Sequence, residues 1–214
     1  MQPRLRGLLA LLALLMLAAC ATTEPAPSPI RLPASASKPP DAAFPAPPEL
    51  QPQVEFWSKV YGVWGRGQIA LHDDRYMDVI YGVITLPGPV DEGQTAEQKN
   101  FAKEHYETLK ELLRQVEFKS AANIPLTPAE QSLANYIRKS SGGPGAIVGA
   151  SERLRSQRGL RERFKQGLEI SGRYDAAFRG VFREAGLPED LAYLPHVESS
   201  FQNHAASSVG AVGM

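Results

Sequence analysis

Apolar and polar positions divide the chain into stretches of different character. From Leu8 to Leu17 nearly every residue is Leu or Ala, and from Ala21 to Pro52 no apolar period survives. Between Val54 and Leu86 two apolar, partly β-branched runs, Gln68 to His72 and Tyr76 to Ile84, flank Asp73-Asp74. An acidic pair between such runs reads as a hairpin turn and places a small β-hairpin near 67–84. Met77, Ile80, Tyr81 and Ile84 also fit a 3.6-residue period, so a helix stays open there. Beyond it the helical period takes over. Thr95-x-x-Gln98 opens a helix whose apolar positions are Phe101, Leu109, Leu112, Leu113 and Val116. Thr127-Pro128-Ala129-Glu130 combines a cap, a first-turn proline and a capping-box acid, and its helix is expected to run to about Lys139, before Ser140-Ser141-Gly142-Gly143-Pro144 breaks it. Two or three further helices are expected between Ala146 and Ala185. The predicted fold class is mainly α.

The last helix is the most informative. Gly186 is suited to stop the helix before it, Pro188 to a first turn, and Glu189-Asp190 to the positive end of the helix dipole. At about 100° per residue, Leu187, Leu191 and Leu194 form one stripe, and Glu198 falls within roughly 20–40° of all three. The expectation is a core-facing carboxyl group at a helix C-terminus, where burial and the dipole both favour the protonated acid. A protonated carboxyl group near neutral pH is what a glycosidic oxygen requires of a general acid.

The N-terminal stretches change the picture of location. Arg4 and Arg6 followed by the Leu/Ala run make a secretory signal over residues 1–19, too short for a spanning helix. Cys20 is the sole cysteine and has no disulfide partner within the chain. From Ala21 to Pro52, ten of thirty-two residues are proline. Such a segment buries too little apolar surface to fold and tends to extended polyproline II, a tether of up to about 100 Å at ~3.1 Å per residue. Arg4 and Arg6 are the only charges in the signal, so its removal leaves 21 bases against 23 acids, a net charge of −2. No basic surplus points to nucleic acid.

Other candidate chemistry is weaker. His72, Asp73, Asp74 and Asp78 have no spacing of a closed metal site and read as a turn with solvated acids. Trp57 and Trp64 read as core, with a sugar-stacking platform as the alternative. Arg153, Arg155, Arg158, Arg161, Arg163 and Lys165 are interspersed with Glu152, Glu162 and Glu169, the pattern of a salt-bridged, solvated helix face, with contact to an anionic wall polymer as the alternative. Neither a Gly-rich phosphate loop nor the spacing of a Ser/His/Asp triad is found.

Glu198-Ser199, Phe201, Ala205, Ser207, Gly210-Ala211 and Gly213, preceded by Leu187-Pro188-Glu189-Asp190-Leu191-Ala192-Tyr193-Leu194-Pro195, resemble the opening motif of the lytic transglycosylases of bacterial cell walls. The likeness is greatest to the membrane-bound lytic murein transglycosylase D type. It extends back through Gly172-Arg173-Tyr174 and Arg161-Glu162-Arg163-Phe164 and covers roughly Gln157 to Met214. The resemblance implies a lysozyme-like, goose-type catalytic domain of which the chain holds only the start. It implies that Glu198 is the catalytic acid, that Ser207 lies beside the acid and the bound sugar, and that Gly210, Ala211 and Gly213 form a turn bringing backbone close to substrate. It implies no cofactor and no metal. Leu17-Ala18-Ala19-Cys20 further resembles a bacterial lipobox, which implies lipidation of Cys20, and Ala21 after it implies the outer membrane.

The expected organisation is therefore a signal over 1–19, a lipidated cysteine and tether over 20–52, a helical region over 53–156 and the start of a lysozyme-like domain over 157–214. The expected partners are peptidoglycan glycan strands and, through the lipid, a membrane. The alternative function is a non-catalytic, membrane-tethered wall-binding or scaffold protein built on the helical region.

Overall fold

The computed structural model describes residues 44–201. Among them the chain is mainly helical, with seven α-helices around one three-stranded antiparallel sheet.

Helix α1 spans Gln51–Gly62 after a 3₁₀ turn over Pro48–Leu50. Regular structure thus begins inside the stretch expected to be tether. Pro52 occupies the first helical turn, where a missing N–H costs nothing. One turn further on, Phe56 and Val60 are buried and anchor the helix.

Strands β1 (Gln68–Asp73) and β2 (Ile80–Thr85) pair antiparallel, with a register shift between Leu71 and His72. The hairpin reading holds and the helical alternative at Met77 to Ile84 falls. Strand β3 (Leu154–Arg158) pairs with the other edge of β1, giving the order β2-β1-β3. This corrects the expectation of a charged helix face at Arg155 and Arg158, because residues 154–158 are extended; Arg161, Arg163 and Lys165 do lie on a helix. Only Leu154 in that run is apolar and buried, so no period-2 pattern marked it; what holds the strand is the unpaired edge of β1. The boundary expected at 156/157 falls within this strand.

Central β1 is covered on both faces. Side chains alternate across a strand, and Ile69 and Leu71 join one buried cluster while Ala70 joins another. The first cluster is built with helix α2 (Ala96–Ala121) through Leu113 and Val116, and with α3 (Pro128–Arg138) through Ala134 and Ile137. The second packs Ala70 with Phe56, Val60 and Trp64, and the His72 ring lies 4.2 Å from that of Phe56.

Both predicted capping boxes are present. Gln98 N–H donates to Thr95 Oγ1 (3.2 Å) and Thr95 N–H to Gln98 Oε1 (3.1 Å); Thr127 N–H donates to Glu130 Oε2 (2.8 Å). Each cap is worth about 1 kcal/mol. Lys119 Nζ donates to Glu130 Oε1 at 2.6 Å and ties α2 to the start of α3.

Asp73 overturns its expected role. It is 0 % exposed, not solvated, and Arg153 Nε donates to both its oxygens at 3.1 and 2.9 Å. Arg75 and Tyr76 N–H groups both donate to its Oδ1 at 2.9 Å each. Arg153, at the end of the short helix α4 (Ala150–Arg153), also donates to the carbonyls of Val148 and Ala146, and its guanidinium lies over the Tyr76 ring. Asp78 is engaged elsewhere, by Ser141 N–H and Oγ.

After β3 the chain turns at Gly159, where any Cβ would collide with the carbonyls of Trp64 and Gly65. Helices α5 (Arg161–Ser171) and α6 (Asp175–Glu184) come next. Gly186, at φ +70°, stops α6 as expected, with Leu187 N–H donating to Phe182 C=O at 2.8 Å.

Candidate functional site

The segment leading to Glu198 starts where the sequence placed it and folds differently. A 3₁₀ turn covers Glu189–Tyr193, and helix α7 covers only Leu194–Glu198. A 3₁₀ turn advances about 120° per residue instead of 100°, so a stripe drawn on one continuous α-helix loses its phase. The inward positions are Ala192, Pro195, His196, Ser199 and Ser200. Leu187 and Leu194 are exposed, and Leu191, Leu194 and Val197 line an open groove with Phe44 and Tyr193. Glu198 is exposed as well. The expectation of a core-facing carboxyl group is therefore corrected: Glu198 is presented at the surface.

Immediately after Glu198 the chain reverses sharply. Ser200 and Phe201 take φ of +53° and +56°, left-handed values uncommon for residues with a Cβ. The turn is held from several sides. Ser200 Oγ donates to His196 C=O (3.2 Å), and Arg163 Nη2 on α5 donates to Ser199 C=O (3.3 Å). Gly167 on the same helix leaves the space into which the Ser200 backbone fits. Phe201 stacks on Tyr174 (6.2 Å) and meets Phe178 (5.9 Å) and His196 (4.8 Å) edge-on. Arg179 of α6 clamps the approach: it pairs with Asp175 at 2.9 Å and lies over the Tyr193 ring at 4.8 Å.

An aromatic run leads from α1 to this turn. Trp57 stacks on Tyr61 (5.8 Å), Tyr61 meets Phe164 (5.2 Å), and Phe164 meets His196 (5.9 Å). Burial, and then the nearby Glu198 carboxylate, push the Tyr61 hydroxyl above its ordinary value, while Arg163 opposes them. Tyr61, Arg163 and Glu198 thus share one electrostatic neighbourhood. Burial also lowers the His196 imidazole, with Asp175 opposing, so the ring favours its neutral form. Among the described residues, His196 Nδ1 and Ser199 Oγ have no hydrogen-bond partner.

Of the two tryptophans, Trp64 is core as expected, and Trp57 is 38 % exposed. Sequence spacing gave no hint that Tyr61, on which Trp57 stacks one helical turn away, would stand near a carboxylate 137 residues downstream. Ser207, Gly210, Ala211, Gly213 and Cys20 lie outside the described residues. Comparison of the chain with family models, curated proteins and solved structures returns no match.

Proposed function

We propose that this chain belongs to a murein lytic transglycosylase in which Glu198 serves as acid and then as base. The observation that carries the reading is the exposed Glu198 at the head of a left-handed turn, beside Tyr61 and Arg163, together with the motif that begins at Glu198. Trp57 and Tyr61 add an aromatic shelf on which an apolar sugar face can lie.

Glu198 protonates the oxygen between N-acetylmuramic acid and N-acetylglucosamine, and the C–O bond to the muramyl anomeric carbon breaks. The resulting carboxylate then takes the proton of the muramyl 6-hydroxyl, whose oxygen closes onto that carbon as a 1,6-anhydro ring. No water is consumed, so a single carboxyl group suffices where hydrolases need two. The proposed location follows from the N-terminal sequence: lipidation at Cys20, the outer membrane, and a Pro-rich segment reaching the wall. Among the described residues no helix is long and apolar enough to cross a membrane.

Digestion of purified murein by the full gene product, with mass spectrometry of the products, tests the reading. A second reading, a wall-binding scaffold without catalysis, is favoured by one observation: the Trp57–Tyr61 shelf is complete within α1. Murein pull-down without product release would support that reading instead.

A further inference from the structure

The arginines between 153 and 163 divide by task once the fold is formed. Arg153 pairs with Asp73, Arg155 with Asp74 at 2.8 Å, and Arg161 with Glu162 at 2.8 Å. Arg158 and Arg163 pair with no carboxylate within 4.0 Å among the described residues; together with Arg66 they line one cavity of about 170 Å³. Glu92, Leu160 and Glu162 complete most of its wall.

The three guanidinium groups are not equivalent. Arg158 is spent on backbone carbonyls: Nε donates to Arg66 C=O (2.5 Å), Nη1 to Glu92 C=O (2.6 Å) and Nη2 to Asp91 C=O (2.6 Å). It brings its positive charge to the cavity wall with no carboxylate within 4.0 Å, Glu162 acting on it only from farther away. Burial, and then the charge of Arg66, hold Arg158 below its ordinary value. The side chains of Arg66 and Arg163 are nearly idle. Arg66 Nη1 stands 3.9 Å from Asp91 Oδ1, and Arg163 makes one long bond, to Ser199 C=O. Of the two carboxylates at the wall, Glu162 is committed, accepting from Arg66 N–H (2.7 Å) and Arg161 Nη2 (2.8 Å).

We propose that this cavity is a binding site for a carboxylate group of an acidic ligand, gripped by the guanidinium forks of Arg66 and Arg163 above the fixed charge of Arg158. A planar carboxylate matches the fork geometry of a guanidinium bidentately. Counting Asp91 beside Arg66 and Arg161 on Glu162, four guanidinium groups stand against three carboxylates, Asp91, Glu92 and Glu162; the excess of one positive charge is neutralised by a monoanion, and a phosphate dianion would overcompensate it. The volume equals roughly six water molecules at ~30 Å³ each, room for a carboxylate and the carbon bearing it. Arg163 bonds the Ser199 carbonyl, so the site adjoins the turn that presents Glu198. The carboxylate could come from a free small acid or from the peptide of a wall polymer, and only the second source rests on the function proposed above.

The test is titration of the full chain, following the arginine Nε–Hε resonances, with N-acetylalanine, its carboxamide, inorganic phosphate and a soluble murein disaccharide-peptide. N-acetylalanine is expected to shift Arg66 and Arg163, the amide to bind at least about tenfold more weakly, and Arg66→Gln and Arg163→Gln each to lose about tenfold while circular dichroism stays unchanged. Equal binding of acid and amide, tighter binding of phosphate than of N-acetylalanine, or unaltered affinity in both folded variants would overturn the proposal. A disaccharide-peptide that binds more tightly than N-acetylalanine, and loses that affinity on amidation, identifies the wall polymer as the source. One that binds no more tightly than N-acetylalanine identifies a free acid, with the site intact and the wall reading weakened. One that binds equally well with its carboxylates amidated keeps the wall reading and removes the site.

Discussion

Gly167 and Ser200 pack backbone against backbone: a Cβ built on Gly167 would stand 2.9 Å from the Ser200 carbonyl oxygen and 3.0 Å from the Ser200 Cβ. Helix α5 therefore sets the position of the turn after Glu198, at the one residue of that helix where a side chain is forbidden. Because the obstructing atom is backbone, Gly167→Ala has to move either the helix or the turn. The expected result is a loss of about 1–3 kcal/mol in chemical denaturation, as for other overpacked sites. Activity is expected to fall further than stability, since the displaced element carries the acid. A Gly167→Ala protein with unchanged stability and turnover would show that the contact does not position Glu198.

The buried pair of Asp73 and Arg153 joins β1 to the α4–β3 junction, with three donors on one carboxylate group, Arg153 Nε reaching both oxygens. Asp73→Ala would strand the guanidinium beside the core. A loss of about 3–5 kcal/mol is expected from urea denaturation, as for a buried pair broken on one side. Asp73→Ala combined with Arg153→Met should lose less than the sum of the two single changes, because no charge is left unpaired. Additive losses would mean that the two residues do not act as a pair.

How much of this was legible in the sequence depends on whether local signals and tertiary context agreed. Both capping boxes, the hairpin and the stop at Gly186 were readable because each is written within a few residues. Strand β3 was not, since Arg155 to Arg158 are polar and only the open edge of β1 makes them a strand. The fate of Asp73 was hidden for the same reason: its partner lies 80 residues away and no spacing rule connects them. The exposure of Glu198 was not legible, because one 3₁₀ turn upstream shifts the phase of the whole leucine stripe.

The two histidines buried among the described residues, His72 and His196, predict how stability changes with pH. Burial is the main cause that lowers both His72 and His196, opposed at His72 by a bond to Asp73 C=O and nearby acids, and at His196 by Asp175. The unfolded chain therefore takes up protons first as pH falls. Their contribution is fully present above the ordinary histidine value of about 6.5, and is lost as pH falls through it toward the lowered folded values. Denaturation midpoints should drop between pH 7.5 and pH 5.5, and His72→Gln together with His196→Gln should flatten that drop. An equal drop in the double variant would assign the effect to other groups.

Trp57 is exposed and stacks on Tyr61 at the edge of the site. Trp57→Ala is expected to weaken binding to insoluble murein several-fold, in line with aromatic contacts worth about 0.5–1.5 kcal/mol, while Trp57→Phe retains most of the affinity. Unchanged sedimentation of Trp57→Ala with murein would remove the shelf from the binding surface.

Cleavage by Glu198 without water, as proposed, is checked by digesting purified murein with the full gene product and resolving the released muropeptides by mass spectrometry. 1,6-Anhydromuramyl ends are expected from the native protein, and no release by Glu198→Gln folded to the same thermal midpoint. Reducing ends, or release undiminished in Glu198→Gln, would contradict it.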